Sequence, residues 1–150
     1  INETVFAALP KLLKKYTVFH QTGFADFSKA QQIHHSNYHP FDFSSSQAVS
    51  ALSKSEIVIS RSGAHIVYEL GFLGKKSVLI PIPHTSHDEQ YLNAKLLADH
   101  GLAIILPQSK LSPQSLIDAI QSVKNLSPQK LNLNNDATDK LIQLIKQQFS

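Results

Sequence analysis

The stretch Ile57-Val-Ile-Ser60-Arg61-Ser62-Gly63-Ala64-His65-Ile66-Val-Tyr-Glu69-Leu70 limits the folds open to this chain more than any other. Three β-branched apolar residues predict a buried strand, small residues then turn the chain, and the apolar spacing changes to that of a helix. Ser62 is placed to cap that helix, and Gly63 and Ala64 keep its first turn free of bulk, so main-chain N–H groups there stay reachable. Such a helix start carries about half a positive charge and several unpaired donors, which suits an anion. Glu69 lies seven residues after Ser62 and four after His65, so all three project from one helix face. A carboxylate two turns beyond a phosphate-binding tip is placed to accept hydrogen bonds from sugar hydroxyls. An ordinary strand–turn–helix with a solvated glutamate would show the same pattern, since glycine-bearing turns of this kind are common.

The rest of the chain repeats the alternation. Apolar residues at Val5, Phe6, Leu9, Leu12 and Leu13 predict a helix from Asn2 toward Lys15, with Pro10 imposing a kink or an early end. Tyr16–His20 is a predicted strand, Gln21-Thr22-Gly23 a turn, and Asp26 or Ser28 the cap of a short helix through His35. Tyr38–Phe43 is extended around Pro40, and Ser44–Leu52 is a further helix. Beyond the central helix, stopped by Gly74, come a buried strand at Ser77–Ile80 and the loop His84–Asp88. A helix over Glu89–Leu97, stopped by Gly101, then leads to a strand at Leu102–Leu106. Ser112-Pro113 opens another helix, residues 125–135 form a polar connector, and Asp136 or Thr138 starts a last amphipathic helix carrying Leu141, Ile142, Leu144, Ile145 and Phe149.

Short apolar strands alternating with longer helices mean an α/β fold, a doubly wound parallel sheet flanked by helices. Opening directly on a helix is unusual for such a domain and suggests that a first strand and loop precede Ile1. In these sheets ligands sit beyond the carboxyl ends of the strands. Three segments are expected to converge there: Gly23, the Ser60–Ala64 turn and the Pro83–Gln90 loop.

Composition removes several classes. The 150 residues include no cysteine, so disulfides, thiolate metal sites and a cysteine nucleophile are out. No apolar run approaches the ~18 residues a membrane span needs, and no leader pattern is visible, which makes the cytoplasm the expected compartment. The net charge of +3 favours anionic ligands, but the lysines are scattered. Arg61 is the single arginine, which argues against reading nucleic acid through arginine forks.

Glu89, Gln90 and Asn93 make a polar group at a helix start. Amides both donate and accept, as mixed sugar hydroxyls require, although capping and solvation account for the same residues. His84 and His87 lie three apart in a loop with only Asp88 near, a poor metal set. His34, His35 and His39 read as surface residues. Glu69 with His65 could pair as acid and base, but no nucleophile sits beside them. Phe41 and Phe43 could each stack on a base or belong to the core.

Taken together, Ser60-Arg-Ser-Gly-Ala-His-Ile-Val-Tyr-Glu69-Leu, Leu79-Ile-Pro-Ile-Pro83 and Glu89-Gln90-Tyr-Leu-Asn93-Ala94 resemble the C-terminal domain of MurG-type transferases. These transfer N-acetylglucosamine from UDP-GlcNAc to lipid I in peptidoglycan synthesis and have the two-domain GT-B fold. The resemblance covers nearly the whole chain and includes Gln21-Thr-Gly23 and Phe43. It implies that Glu69 holds the ribose hydroxyls and that Arg61, Ser62, Gly63 and Ala64 with the helix they open meet the diphosphate. His65 and Ile66 would line the same wall. Glu89 and Gln90 would contact the GlcNAc hydroxyls, with Asn93 bracing that loop, and Phe43, less securely Phe41, would lie at the uracil. Family members often carry Thr where Ile66 stands and Gln or His where Glu89 stands; a carboxylate cannot donate to a hydroxyl. Around Phe43 the spacing is a residue or two longer than usual.

The resemblance further implies a Rossmann-like, C-terminal half of a GT-B enzyme that needs no cofactor and no metal. The acceptor-binding N-terminal domain, with the catalytic base, is not in this stretch, so the chain alone is expected to be inactive. The lipid-linked acceptor would be held by that domain, with peripheral membrane association at the inner face of the cell membrane only in the full enzyme. Two alternatives stay open: the donor-binding subunit of another GT-B transferase (glycolipid or two-subunit GlcNAc transferase), and a non-catalytic nucleotide-sugar-binding module.

Overall fold

A computed structural model describes residues 1–129 and residue 131. The predicted last helix, and the connector from residue 132 onward, lie outside the described residues. In chain order come α1 (Asn2–Leu12), β1 (Val18–Gln21), α2 (Phe24–Gln31), β2 (Tyr38–Phe41), α3 (Ser45–Lys54) and β3 (Ile57–Ser60). They are followed by α4 (Ala64–Phe72), β4 (Lys76–Leu79), α5 (Glu89–Asp99), β5 (Ala103–Ile105) and α6 (Pro113–Lys124). All pairing is parallel, as crossover helices require.

Among the described residues the strands form two hydrogen-bonded groups. β1 pairs with β2, and β4 lies between β3 and β5, with no ladder joining the two groups. All four residues of β3 are half-buried, and among the described residues β4 is the one strand that pairs with it. β4 is the buried one. Its alternation places Val78 and Ile80 in a cluster with α1 and α6, whereas Leu79 points into a cluster with Val67 and Leu70 of α4 and Ala94 and Leu97 of α5. Helices thus cover both faces, the doubly wound arrangement. Tyr38 of β2 belongs to the first cluster, so side-chain packing connects the two sheets.

Several boundaries follow from local chemistry. α1 runs through Pro10, whose missing N–H forgoes the bond to the Phe6 carbonyl, and ends at Leu12. α2 starts at Phe24, before either expected cap, because Gly23 adopts φ 70°, ψ 171° and turns the chain at once. α6 opens at Ser112-Pro113 as expected, with a reciprocal cap: the Ser112 hydroxyl accepts from the Ser115 N–H at 3.1 Å, and the Ser115 hydroxyl accepts from the Ser112 N–H at 2.8 Å.

Candidate functional site

The turn after β3 leaves the main chain of α4's first turn open. Gly63, not Ser62, is the N-cap residue, and no side chain caps this helix end. A Cβ built on Gly63 would meet nothing within 4 Å, and Ala64 and His65 are exposed. Ser62 departs from the expected cap: it is fully buried, and its hydroxyl has no hydrogen-bond partner. The helix begins one residue later than its small-residue run suggests, which draws Ser62 under the turn. A buried hydroxyl without a partner is uncommon, and here it lies one residue from a helix start with unpaired donors.

Two neighbours hold this turn. The Asn93 carboxamide on α5 donates to the Ser62 carbonyl at 3.2 Å. The Arg61 guanidinium donates to the Ile80 carbonyl at 3.1 Å, fastening β3 to the end of β4. Partial burial lowers the Arg61 pKa from its usual value, but a guanidinium stays charged. Its cation is thus fixed at the end of β4, on a residue two ahead of the Gly63 N-cap.

Glu69 is exposed on α4, as a ligand for sugar hydroxyls would have to be. Ile66, by contrast, is half-buried and packs against the α4–α5 cluster, so only His65 of that predicted pair faces solvent. Gln90 is used locally: its side-chain oxygen accepts from the Ile82 N–H at 3.0 Å and shapes the loop ahead of α5. That leaves its NH₂ group as the donor for a ligand. Glu89 is exposed at the first position of α5. The loop has strain with no sequence signal: His84, His87 and Asp88 take φ of 57°, 53° and 52°, left-handed values that side chains with a Cβ rarely adopt. The Thr85 hydroxyl within it is buried without a partner. His84 and His87 are exposed, and among the described residues no group of three His, Cys, Asp or Glu is arranged for a metal ion.

The Gly23 turn is anchored separately by a polar network under the ends of β1 and β2. The Asn2 carboxamide donates to the Thr22 carbonyl at 2.8 Å and to the Asp26 carboxylate at 2.6 Å. Its oxygen lies 3.3 Å from His20 Nε2, and His20 Nδ1 lies 2.9 Å from the Tyr38 hydroxyl. Because the Asn2 oxygen can only accept, Nε2 carries the proton and Nδ1 accepts from Tyr38. Burial, opposed by Asp26, lowers the His20 pKa to about 4, and burial raises that of Tyr38 to about 12. Phe41 is buried core, whereas Phe43 is 74% exposed beside an equally exposed Phe24, their ring centres 6.4 Å apart. Phe24, an aromatic directly after a turn glycine, was not singled out by motif or periodicity.

Of the three expected segments, the Ser60–Ala64 turn is tied to α5 through Asn93, three residues beyond the Pro83–Gln90 loop, whose own Gln90 bonds Ile82. The third, with Phe43 and Gly23, stands at the carboxyl ends of β1 and β2, where the strand–helix–strand connection through α3 places it on the same side as Ser60.

Comparison with known proteins fits this geometry. Residues 1–149 match the family model described as "Glycosyltransferase family 28 C-terminal domain". A Clostridium kluyveri protein named UDP-N-acetylglucosamine--N-acetylmuramyl-(pentapeptide) pyrophosphoryl-undecaprenol N-acetylglucosamine transferase is 30% identical over 97% of this chain and 43% of its own length. A Bacillus cereus transferase of the same name, numbered 2, is 34% identical over 91% of this chain and 36% of its own. The crystal structure of Acinetobacter baumannii MurG superposes with a TM-score of 0.68 and 26% identity, covering 97% of this chain and 48% of that one. The chain spans less than half the length of these relatives. Because the family match takes in both the open turn before α4 and the polar start of α5, and extends through 149 of the 150 residues, the chain belongs to the glycosyltransferase family 28 C-terminal domain family.

Proposed function

We propose that this chain is the donor-binding domain of an inverting glycosyltransferase that uses UDP-GlcNAc and glycosylates a lipid-linked muramyl-peptide acceptor. The observation that carries the reading is the uncapped, unobstructed start of α4, with the buried Ser62 hydroxyl lacking a partner directly beside it. The diphosphate would take the free N–H groups of that turn, with the Arg61 charge close by. Glu69 would accept from both ribose hydroxyls, Phe43 would lie against the uracil, and the Gln90 NH₂ group would donate to the GlcNAc ring.

The chemistry follows from those positions. Direct displacement at the anomeric carbon builds negative charge on the departing UDP. Fixed main-chain donors and the α4 dipole stabilise that charge without rearranging. The proton of the attacking hydroxyl goes to a base outside this chain, in the domain that holds the acceptor, so no catalytic residue is assigned here. No metal or cofactor is part of this reading. The relatives' printed names supply the sugar and the undecaprenol-linked acceptor, and the working place would be the inner face of the cell membrane.

The test is calorimetric titration of the full-length protein with UDP and UDP-GlcNAc. Binding of both, lost together in Glu69→Ala, is expected. A folded protein that takes neither nucleotide overturns the proposal.

A further inference from the structure

Phe24 and Phe43 stand just beyond the carboxyl ends of two paired strands. Gln21 of β1 lies opposite Phe41 of β2, so Phe24 comes three residues after one strand end and Phe43 two after the other. Each is 74% exposed, and neither joins an apolar cluster of the described residues. A lone exposed phenylalanine is ordinary. Two neighbouring ones at the ligand edge of a parallel sheet mark a contact surface.

The main chain beneath these rings is held firmly. The Thr22 N–H donates to the Phe41 carbonyl at 2.9 Å, and the Thr22 hydroxyl to the same oxygen at 3.2 Å, which ties the two turns together. Asn2 grips the Thr22 carbonyl on one side of Phe24 and the Asp26 carboxylate on the other. The rings themselves have their centres 6.4 Å apart and their planes inclined by 36°, nearer parallel than perpendicular. One flat heterocycle can therefore meet π surface from both, with a small turn of either exposed side chain.

We propose that Phe24 is a second base-stacking residue, forming with Phe43 the aromatic wall against which the pyrimidine of the donor lies. This assignment rests on the donor reading. If the open start of α4 takes the diphosphate, the base lies further along the same sheet edge, and these two rings are the exposed aromatics there. Phe24 lies outside the motifs that carry the nucleotide, since it follows the turn glycine of the first strand. Stacking needs only a π face, which every base has, so Phe24 adds affinity and leaves the choice of base to hydrogen-bonding groups.

The experiment is calorimetric titration of the full-length protein with UDP and with inorganic pyrophosphate, for wild type, Phe24→Ala and Phe24→Tyr. Phe24→Ala should lose about ten-fold in UDP affinity. Phe24→Tyr, which keeps the ring, should stay within about two-fold of wild type. Pyrophosphate, which has no base, should bind all three equally, and that equality also reports an intact fold. Phe24→Trp adds an optical reading, because this chain contains no tryptophan. The emission it adds over wild type should be quenched by UDP and not by pyrophosphate. UDP affinity equal to wild type in Phe24→Ala overturns the assignment; a lowered melting temperature in that case would show the ring packing on another part of the full-length protein. So does a parallel loss for pyrophosphate, or added emission that saturating UDP leaves unchanged. A wild type that takes no UDP overturns the donor reading and this assignment together, whereas the other outcomes strike this assignment alone.

Discussion

The Asn93 carboxamide donates across the α4–α5 junction to the main-chain carbonyl of Ser62 at 3.2 Å, so the start of one helix is set by a side chain of the other. Asn93→Ala should cost about 1 kcal/mol in a urea melt, the usual worth of a neutral hydrogen bond. Asn93→Asp should cost more, because a carboxylate facing a carbonyl has no proton to offer. Both should weaken UDP binding, and a titration that leaves UDP affinity unchanged would detach the turn from the ligand.

Ser62 gives an opposite pairing of effects. Its hydroxyl is buried and unpaired, so Ser62→Ala removes a desolvated group and should leave stability equal or slightly higher. If that hydroxyl serves a bound diphosphate, the same variant should bind UDP roughly five- to ten-fold more weakly. Thermal melting with and without UDP separates the two effects.

Glu69 and Gln90 should separate the two parts of the donor. Glu69→Ala is expected to weaken UDP and UDP-GlcNAc alike by roughly 1–3 kcal/mol, the scale of hydrogen bonds to a charged group. Gln90→Glu keeps the acceptor for the Ile82 N–H while removing the NH₂ donor, so the loop should persist and only UDP-GlcNAc affinity should fall. Gln90→Ala removes both and should also lower the melting temperature. Equal losses on UDP and UDP-GlcNAc in Gln90→Glu would place that side chain away from the sugar.

His20 should make stability acid-sensitive. Unfolded, the imidazole takes a proton near 6.5; folded, its burial among Asn2, Tyr38 and the Phe6 ring holds its pKa at about 4. Between those values the unfolded chain binds more protons, so stability falls as pH drops from 6.5 and the contribution is fully lost below about 4. The loss is on the order of 2–3 kcal/mol. Urea midpoints between pH 7 and 4 should show that slope, and His20→Gln should flatten it.

Much of this fold is legible in the sequence because it rests on local chemistry. Gly23, Gly74 and Gly101 all take positive φ at the turns where glycine was expected to end or start an element. The helix opened by Ser112-Pro113 starts where expected, and β1 to β5 lie where the apolar runs put them. What stayed hidden depends on contacts between distant residues. A serine before a helix reads the same whether it caps the helix or is buried beneath it. The left-handed His84, His87 and Asp88 are held by the surrounding fold rather than by residue type. The His20 network joins residues 2, 20, 26 and 38, which no spacing rule connects. At the site, Glu69 and Asn93 were visible as polar residues on helix faces, but the hydrogen bond from Asn93 to Ser62, and the use of Gln90 to hold Ile82, required the tertiary structure.

The two clamps on the turn before α4 have an entropic meaning. Asn93 grips the Ser62 carbonyl and Arg61 grips the end of β4, so the main chain between them is ordered before any ligand arrives. A molecule that settles on those N–H groups gives up its own freedom of movement but does not have to freeze the protein's as well.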